Sequence, residues 1–374
     1  MTGLSPGKLA ALLDRARRDV EDGILPSCQI AVGLHGEVVA FEAFGEATLE
    51  TRYSVFSCTK PIVSAAAWVL IGDGRLDVSR PVAEYVPEFA GNGKQAVTVE
   101  HLLLHTAGFP SATLAPPEWE TRAGRLAAFR AWTLTSAPGS VFEYHPTSAH
   151  WVLAEIIERL AGCDYREAVQ QLVTDRAGLG RRVLGLGPDD QEGIADMEVR
   201  GEPATPDELE AAIGVRELPS SEVNDAALVG FNRADVRTVG VPGAGAVLTA
   251  AGLASFYQRL LHDPDGIWRP DVLADATGRV RNSLGDPLFS MPANRTLGLV
   301  QAGGDGLGFL RGFGSSVSAR TFGHGGAAGQ ISWADPTTGL SFAYVTNGID
   351  ANVIRQFRRG MSLSTRAGLL TERD

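Results

Sequence analysis

The sequence is short of lysine and cysteine and has no long apolar run. Only three of its 33 basic residues are lysines, at positions 8, 60 and 94. Its three cysteines, Cys28, Cys58 and Cys163, are too few and too scattered for a disulfide framework or a four-ligand zinc site. No segment approaches eighteen uninterrupted apolar residues, so we expect no membrane span. These shortages favour a soluble protein in a reducing cytoplasm.

Basic charge is also outweighed by acidic charge. The formal net charge is -11 and the pI is about 5.2, so the chain would repel nucleic-acid phosphates and anionic lipid surfaces. The first residues form an amphipathic pattern without the apolar core of a secretory signal. With 374 residues and 44% hydrophobic content, the chain is long enough for one large domain or two intimate ones. We expect neither a nucleic-acid nor a membrane partner.

The scarcity of lysine makes each lysine informative. Arginine stays protonated in proteins, whereas a lysine withdrawn from water can lose its proton. A side chain that must act as a base therefore cannot be arginine, which is the default cation of this sequence. A lysine at a helix start, close to a possible nucleophile, is therefore a candidate base.

Strand patterns lie at both chain ends, with helical patterns between them. Strands are expected over 28–34 and 37–44, as a hairpin, and over 295–301, 319–322, 330–334 and 341–346. Helices are expected over 8–20, 60–72, 98–105, 120–133, 147–161, 165–176, 249–262 and 350–370. The expected fold is α+β, with one antiparallel sheet built from both chain ends and flanked by helices. Residues 1–60 and 291–374 would form the sheet domain, residues 61–290 an inserted, mostly helical domain, and the cleft between them the active site.

Ser57 and Lys60 are the first candidates for chemistry. Their Ser-x-x-Lys segment lies where a β-rich stretch gives way to an apolar helix. A serine there meets unpaired backbone N–H groups that help a developing oxyanion, and Lys60 follows one turn later on the same face. Burial against the helix would lower the pKa of Lys60 towards that of a base. The alternative is a capping serine followed by a surface lysine, which is our interpretation of the same spacing at Ser5 and Lys8.

Tyr144 is the next candidate, in a loop just before a strong helical pattern. A phenol held beside positive groups can take a serine proton and return it to a leaving group. On its own, a tyrosine in this position fits a packing role as well. The neighbouring His145 is a candidate for the substrate pocket, with helix-end capping as its alternative.

A glycine-rich run at residues 323–329 comes immediately before an expected strand. Its glycines would let the backbone approach a substrate closely and aim N–H groups at it. We expect the Ala327 N–H to join the Ser57 N–H in an oxyanion hole, and His324, Gly325 and Gly326 to contact the substrate. A tight edge loop is the alternative interpretation.

Taken in this order, the three segments resemble the serine β-lactamase and penicillin-binding-protein superfamily, especially its class C β-lactamase-like branch with the family VIII esterases. Leu-Leu-Leu-His-Thr-Ala-Gly at 102–108 is similar to the Leu-Leu-x-His-Thr-Ser-Gly stretch of that branch, and Trp-Ala-Asp-Pro-Thr-Thr-Gly at 333–339 also fits it. The resemblance spans roughly residues 20–350. It implies that Ser57 is the acylated nucleophile, that Lys60 assists removal of its proton, and that Tyr144 corresponds to the tyrosine of the family's Tyr-x-Asn element.

Two departures from the family pattern bear on the substrate. Pro146 stands at the asparagine position of Tyr-x-Asn, so no side-chain amide can grip a β-lactam. His324 stands where the Lys-Thr-Gly element has its lysine, and histidine is mostly neutral at pH 7. Both departures weaken a β-lactamase assignment and leave the acyl-transfer residues in place, so a carboxylesterase is favoured.

The expected function is therefore hydrolysis of a small-molecule ester through an acyl-enzyme, with no metal or organic cofactor. Alternatives within the superfamily are an amide or β-lactam hydrolase, a D-amino-acid peptidase and an acyltransferase, and an alternative of another class is a catalytically silent binding protein. His101 and His105 have a spacing compatible with metal binding, but no third ligand is evident. The sequence carries no signal for the oligomeric state.

Overall fold

The structure is a computed structural model that describes residues 3–218, 221–287 and 290–371. The strands, numbered along the chain, are Ser27–Leu34 (β1), Glu37–Gly45 (β2), Tyr53–Ser54 (β3), Glu198–Arg200 (β4), Val247–Leu248 (β5), Gly285–Asp286 (β6), Met291–Pro292 (β7), Val300–Gln301 (β8), Phe322–Gly323 (β9), Ile331–Asp335 (β10), Leu340–Thr346 (β11) and Gly348–Asp350 (β12). The largest sheet has six antiparallel strands in the order β2-β1-β11-β10-β9-β8. Both chain ends therefore build one sheet, which confirms the expected α+β fold.

Helices surround this sheet and fill the middle of the chain. They are Pro6–Glu21 (α1), Thr59–Gly72 (α2), Val82–Tyr85 (α3), Val99–Leu103 (α4), Arg122–Ala131 (α5), Ser148–Ala161 (α6), Tyr165–Val169 (α7), Pro206–Ile213 (α8), Asp225–Val229 (α9), Ala234–Val239 (α10), Ala250–His262 (α11), Pro270–Gly278 (α12) and Val353–Ala367 (α13). In the three described ranges, no helix combines the length and apolarity needed to cross a membrane.

Strand β1 lies inside the sheet and is buried on both faces. Ile30 and Val32 pack with residues of α1 and α13, whereas Ala31 faces the core that contains α11. Gly33 also faces α11, where an added Cβ would lie 2.6 Å from Gln258 Cγ. Only glycine lets the strand and this helix approach so closely.

The expected strands near the C-terminal end are shorter than their sequence patterns. Within 295–301 only β8 is a strand, because the chain turns at Gly298, which has φ 92° and no room for a side chain beside Ser64. Within 319–322 the strand begins at Phe322, because the Thr321 N–H bonds back to Ser318 O in a turn. Within the helix expected over 165–176, the α-helix α7 ends at Val169, and a π-helical turn, Gln170–Thr174, follows it.

Helix α2 is the element that fixes the site. All of its residues from Thr59 to Leu70 are buried, so its first turn is withdrawn from water. Helix α11, from the range expected to be helical, packs directly on the sheet. The division into 1–60 with 291–374 and 61–290 remains a prediction. Helices α3, α8, α9, α10 and α12 were not expected from the sequence.

Candidate active site

Ser57 lies in the turn that leads into α2. A 3-10 turn, Phe56–Cys58, connects the segment after β3 to this helix. Phe56 has φ 45°, a left-handed conformation that is strained for a bulky side chain. The turn leaves Ser57 partly exposed next to a buried helix. A nucleophile in this position is accessible to a substrate while its backbone is fixed.

Lys60 is completely buried and has three polar partners. Its Nζ lies 3.1 Å from Ser57 Oγ, 2.7 Å from Pro146 O and 2.8 Å from Gly243 O. Burial lowers the pKa of Lys60 below the ordinary lysine value. An ammonium group in this position can donate to all three oxygens, and a neutral amine can donate to the two carbonyls and accept from the serine hydroxyl. The structure therefore brings the Lys60 amine and the Ser57 hydroxyl into direct contact.

Tyr144 contacts the same hydroxyl. Its Oη lies 2.9 Å from Ser57 Oγ, and its ring centre lies 4.9 Å from Lys60 Nζ. The interaction with Tyr144 opposes burial and raises the pKa of Lys60 in part. The structure thus brings Ser57, Lys60 and Tyr144 into contact around a single oxygen atom.

His105 supports the Tyr144 loop, a role that the sequence analysis did not assign. The two ring centres are 4.6 Å apart. His105 Nδ1 accepts the His145 N–H at 3.1 Å, and its carbonyl accepts the Glu143 N–H at 3.1 Å. Burial lowers the pKa of His105 well below its ordinary value, so the ring is neutral and Nδ1 keeps its lone pair. The segment 102–108 carried the signal for this role, although the resemblance gave no function for its histidine.

His145 is buried and bonded within the protein, and its expected role in the substrate pocket stays a prediction. Its Nδ1 contacts Glu143 O at 2.6 Å, and its Nε2 accepts the Phe109 N–H at 3.2 Å. Burial lowers the pKa of His145 to about 4, so the neutral ring serves as one donor and one acceptor. Both ring nitrogens are occupied, and His145 fixes the loop that carries Tyr144.

The glycine-rich loop between β9 and β10 packs directly against the turn that precedes Ser57. An added Cβ on Gly326 would lie 2.4 Å from Val55 O. The Gly326 N–H donates to Gln330 O at 2.9 Å, and the Gln330 side-chain amide exchanges two hydrogen bonds with the main chain of Thr346, at 2.8 and 3.0 Å. The loop is therefore fixed to both the sheet and the turn that contains Ser57.

Two backbone donors remain available in these touching segments. Within the described part of the chain, no hydrogen-bond acceptor is found for the Ser57 N–H or the Ala327 N–H. Ala327 is partly exposed, and its neighbour Ala328 has φ 57°, which shapes a tight turn there. Unpaired N–H groups beside a nucleophile are the donors that an oxyanion hole requires.

His324 lies at the start of this loop, with both ring nitrogens in use. Its Nδ1 contacts Gly325 O at 2.7 Å, and its Nε2 faces Arg295 Nη1 at 3.2 Å. Burial lowers the pKa of His324 well below its ordinary value, and Arg295 adds to this effect. The neutral ring donates from Nδ1 and accepts from Arg295. In the structure His324 contacts Arg295, and Gly325 and Gly326 are accessible. The substrate contacts expected of these three residues stay predictions.

Arg295 is a site residue that the sequence analysis missed. Its guanidinium carbon lies 5.5 Å from the Tyr144 ring centre and 5.3 Å from the Phe142 ring centre. Its Nε is buried without a hydrogen-bond partner, and among the described residues no carboxylate lies within ion-pair distance of it. Asp286 attracts it from farther away. The residue stood in an expected strand among many arginines, so the sequence offered no signal to select it.

Comparison with known proteins now places the chain in a family. The family model described as Beta-lactamase matches residues 13–360. The chain belongs to the β-lactamase family. It is 28% identical to esterase EstB of Burkholderia gladioli over 380 residues, which cover 91% of this chain and 90% of that protein. It also resembles the crystal structure of a penicillin-binding-protein homolog from Caulobacter crescentus, with a TM-score of 0.78, 26% identity and 98% of each chain covered.

A further structure shares the fold of this β-lactamase-family protein. It is a family VIII carboxylesterase, with a TM-score of 0.76, 22% identity, and 97% of this chain and 98% of that chain covered. The resemblance stated from the sequence and the β-lactamase-like fold are confirmed. The chain is an enzyme of the β-lactamase-like serine hydrolase type.

The spaced histidines His101 and His105 have different partners in the structure. In residues 3–218, 221–287 and 290–371, no group of three or more His, Cys, Asp or Glu side chains is arranged to hold a metal ion. His101 instead belongs to the capping box of α4, where its Nδ1 accepts the Thr98 N–H at 3.2 Å. In this β-lactamase-family protein His101 therefore has a structural role at the start of α4.

Proposed function

We propose that this protein is a carboxylesterase that hydrolyses small-molecule esters through an acyl-enzyme on Ser57. The observation that carries the proposal is the position of Ser57 Oγ, which lies 3.1 Å from Lys60 Nζ and 2.9 Å from Tyr144 Oη. A hydroxyl with two adjacent proton carriers suits a two-step acyl transfer. The similarity to an esterase of Burkholderia gladioli supports the same assignment.

In the acylation step, neutral Lys60 takes the proton of Ser57 while Oγ attacks the ester carbonyl. The Ser57 and Ala327 N–H groups stabilise the oxyanion of the tetrahedral intermediate. Tyr144 then gives its proton to the departing alkoxide, so the C–O bond of the ester breaks as the alcohol forms. The products are an acylated Ser57, a protonated Lys60 and a deprotonated Tyr144.

In the deacylation step, the same two groups act in reverse. The phenolate of Tyr144 takes a proton from water as the water oxygen attacks the acyl carbon. Lys60 returns its proton to Ser57 Oγ as this atom leaves. The carboxylic acid is released, and Ser57, Lys60 and Tyr144 recover their starting protonation. An alcohol in place of water would give a new ester, which is the acyltransferase alternative.

The reacting ester would lie between the two expected parts of the chain. Ser57, Lys60 and Ala327 come from the ranges 1–60 and 291–374. Tyr144, and the carbonyls of Pro146 and Gly243 that hold Lys60, come from the range 61–290. We propose that this cleft is the substrate site, because both parts supply groups that touch the reacting atoms.

An ester is favoured over a β-lactam or another amide because of Pro146 and His324. Pro146 has no side-chain donor for an amide group, and its carbonyl accepts a hydrogen bond from Lys60. His324 is neutral and has no unoccupied ring nitrogen, so it offers no charge to a drug carboxylate. β-Lactamase, D-amino-acid peptidase and acyltransferase activities remain the alternatives within this family.

Steady-state kinetics with three probes tests the assignment. We expect kcat/KM for p-nitrophenyl butyrate to exceed that for nitrocefin and for a D-alanyl p-nitroanilide by at least about a hundredfold, and Ser57→Ala to abolish all three rates. A higher value for nitrocefin or for the anilide would replace the esterase assignment with the corresponding alternative. Folded protein without any turnover or fluorophosphonate adduct would favour the silent binding protein.

The location that we propose is the cytoplasm. All three cysteines are free, and Cys28 and Cys58 are buried, which suits a reducing compartment. Fractionation of the native host followed by an esterase stain tests this proposal, and activity recovered only outside the cytoplasm would overturn it.

A further inference from the structure

A small apolar cluster, separate from the two main cores, contains the residue that precedes Ser57. We call it the apolar wall. It contains buried Phe56, Met197, Leu228, Ala328 and Ile349, and partly buried Val229, Phe231 and Ala327. Phe56 immediately precedes Ser57, and Ala327 carries an oxyanion N–H. The apolar wall therefore adjoins both groups that would hold the ester carbonyl.

Phe231 is the large side chain of the apolar wall that reaches solvent. Its ring packs edge-on against Phe56, with the ring centres 5.4 Å apart. The next residue, Asn232, holds the segment in place, because its amide accepts the Met197 N–H at 2.7 Å and donates to Met197 O at 3.0 Å. An apolar group of the substrate would meet a rigid surface here.

The Tyr144 side of the nucleophile is polar and positively charged. Arg295 lies against the Tyr144 ring and bonds to neutral His324. Its buried Nε has no partner, and the described residues supply no ion pair for its charge. A partly buried cation with an unused buried donor is stabilised when an acceptor binds there. In a chain with a net charge of -11, this local charge favours a negatively charged group.

The loop from His324 to Ala328 joins the two sides, and the proposed mechanism gives them different roles. Tyr144 must reach the leaving oxygen, so the alcohol part of the ester lies on the side of Arg295. The acyl part then lies on the other side, against the apolar wall. We infer that the substrate class is an ester of an apolar acyl group with an alcohol that carries a carboxylate or another anion. This inference rests on the proposed esterase function.

Four phenyl-type esters test both halves of the inference. Phenyl acetate is the neutral reference, phenyl hexanoate extends the acyl group, 3-acetoxybenzoate places a carboxylate on the alcohol, and monophenyl glutarate places one on the acyl group. We expect kcat/KM for 3-acetoxybenzoate and for phenyl hexanoate to exceed that for phenyl acetate by about tenfold, and monophenyl glutarate to be the poorest substrate. A preference for monophenyl glutarate, or no preference for either favoured ester, would overturn the inference.

Substitutions of Arg295 and Phe231 test which residue causes each substrate preference. The quantity compared is the ratio of kcat/KM for each favoured ester to kcat/KM for phenyl acetate. Arg295→Gln is expected to lower the ratio of 3-acetoxybenzoate to phenyl acetate about tenfold, with partial rescue by Arg295→Lys, while the exposed control Arg320→Gln keeps the ratio. Phe231→Ser is expected to lower the ratio of phenyl hexanoate to phenyl acetate several-fold. Phe357→Ser, at a residue that is 41% exposed on α13, is its control. Ratios that are unchanged in Arg295→Gln and Phe231→Ser would contradict the assignment.

A binding measurement separates this inference from the esterase proposal. The alcohol product, 3-hydroxybenzoate, should bind to the Ser57→Ala protein in calorimetry, and the added Arg295→Gln substitution should weaken binding about tenfold. Phenol should bind both proteins equally. If phenyl acetate is hydrolysed but 3-hydroxybenzoate binds no better than phenol, the inference fails while the esterase function stands. If no phenyl ester is hydrolysed and no serine adduct forms, the esterase function itself fails.

Discussion

Lys60 and Lys94 are both buried lysines that lie near an aromatic ring. Of the two, Lys60 contacts a hydroxyl that can exchange a proton with it, and Lys94 contacts a carbonyl. Lys94 is 0% exposed, donates a hydrogen bond to Trp132 O, and lies 5.4 Å from the Phe89 ring centre. Lys60 is also 0% exposed and lies 4.9 Å from the ring centre of Tyr144. Burial lowers the pKa of both amines.

The difference lies in the groups that can exchange a proton with each amine. Lys94 has a carbonyl and a phenyl ring, neither of which gives or takes a proton. Lys60 has the hydroxyl of Ser57 within 3.1 Å, and that hydroxyl in turn contacts Tyr144. Withdrawal from water makes a lysine a possible base, and an adjacent hydroxyl makes that base useful.

The largest expected effect is the loss of esterase activity when the amine of Lys60 is removed, compared with removal of the amine of Lys94. Lys60→Met keeps an apolar chain of similar length but removes the base, so kcat/KM for p-nitrophenyl butyrate should fall by about 10³-fold or more. Lys94→Met is the matched control, and it should retain activity within about threefold. Thermal melts of both variants are to be measured alongside, to check that the proteins are folded. Comparable losses in two folded variants would remove the distinction between the lysines.

A smaller loss of activity is expected when Tyr144 is replaced by phenylalanine, because Lys60 then lies beside a phenyl ring as Lys94 lies beside Phe89. Tyr144→Phe keeps the ring beside Lys60 and His105 but removes the hydroxyl, so the contact becomes like that of Lys94. We expect kcat to fall about 10²-fold because the leaving alcohol loses its proton donor. Tyr85→Phe, which removes a hydroxyl near Asp77, is the control. Stopped-flow measurement of the alcohol burst and of the steady state that follows it separates acylation from deacylation. Unchanged rates of both steps would show that Tyr144 is only a packing residue.

The smallest expected effect is a shift of the pH–rate profile. Lys60 must be neutral to act, so kcat/KM for a neutral ester should rise with pH through the lowered pKa of Lys60 and then level off. Arg295 disfavours the charged form of Lys60, so Arg295→Gln should raise this pKa and move the rising limb to higher pH. Lys94→Met should leave the limb in place. A shift to lower pH in Arg295→Gln would contradict the electrostatic account.

The sequence predicted the parts of the fold that follow from local periodicity. The hairpin of β1 and β2, the pair of β10 and β11, and most long helices lie where the patterns placed them. The strand expected over 295–301 was wrong in extent because Gly298 turns beside Ser64, a contact between residues far apart in the chain. Helix α8 was missed although Thr205 and Glu208 form a capping box at its start, so that signal was present and unused.

In the candidate site, too, local sequence patterns predicted some residues, and contacts between distant segments determine the others. Scarcity of lysine reduced the choice to three residues, of which Lys8 and Lys60 have a serine three positions earlier. The change from a β-rich stretch to an apolar helix then favoured Lys60. Ser5, in the repeated spacing, does occupy the N-cap position of α1, but its side chain makes no capping hydrogen bond, so the capping explanation was only half right. Arg295 and the carbonyl of Gly243 reach the site from distant segments, which no local pattern reveals.

The most direct measurement is the rate at which a fluorophosphonate modifies the protein, followed by intact mass and peptide mapping. We expect one adduct on the peptide that contains Ser57, none in Ser57→Ala, and a rate that is at least about a hundredfold lower in Lys60→Met than in Lys94→Met. An adduct that persists in Ser57→Ala, or equal rates in the two lysine variants, would contradict the claim that Lys60 activates Ser57.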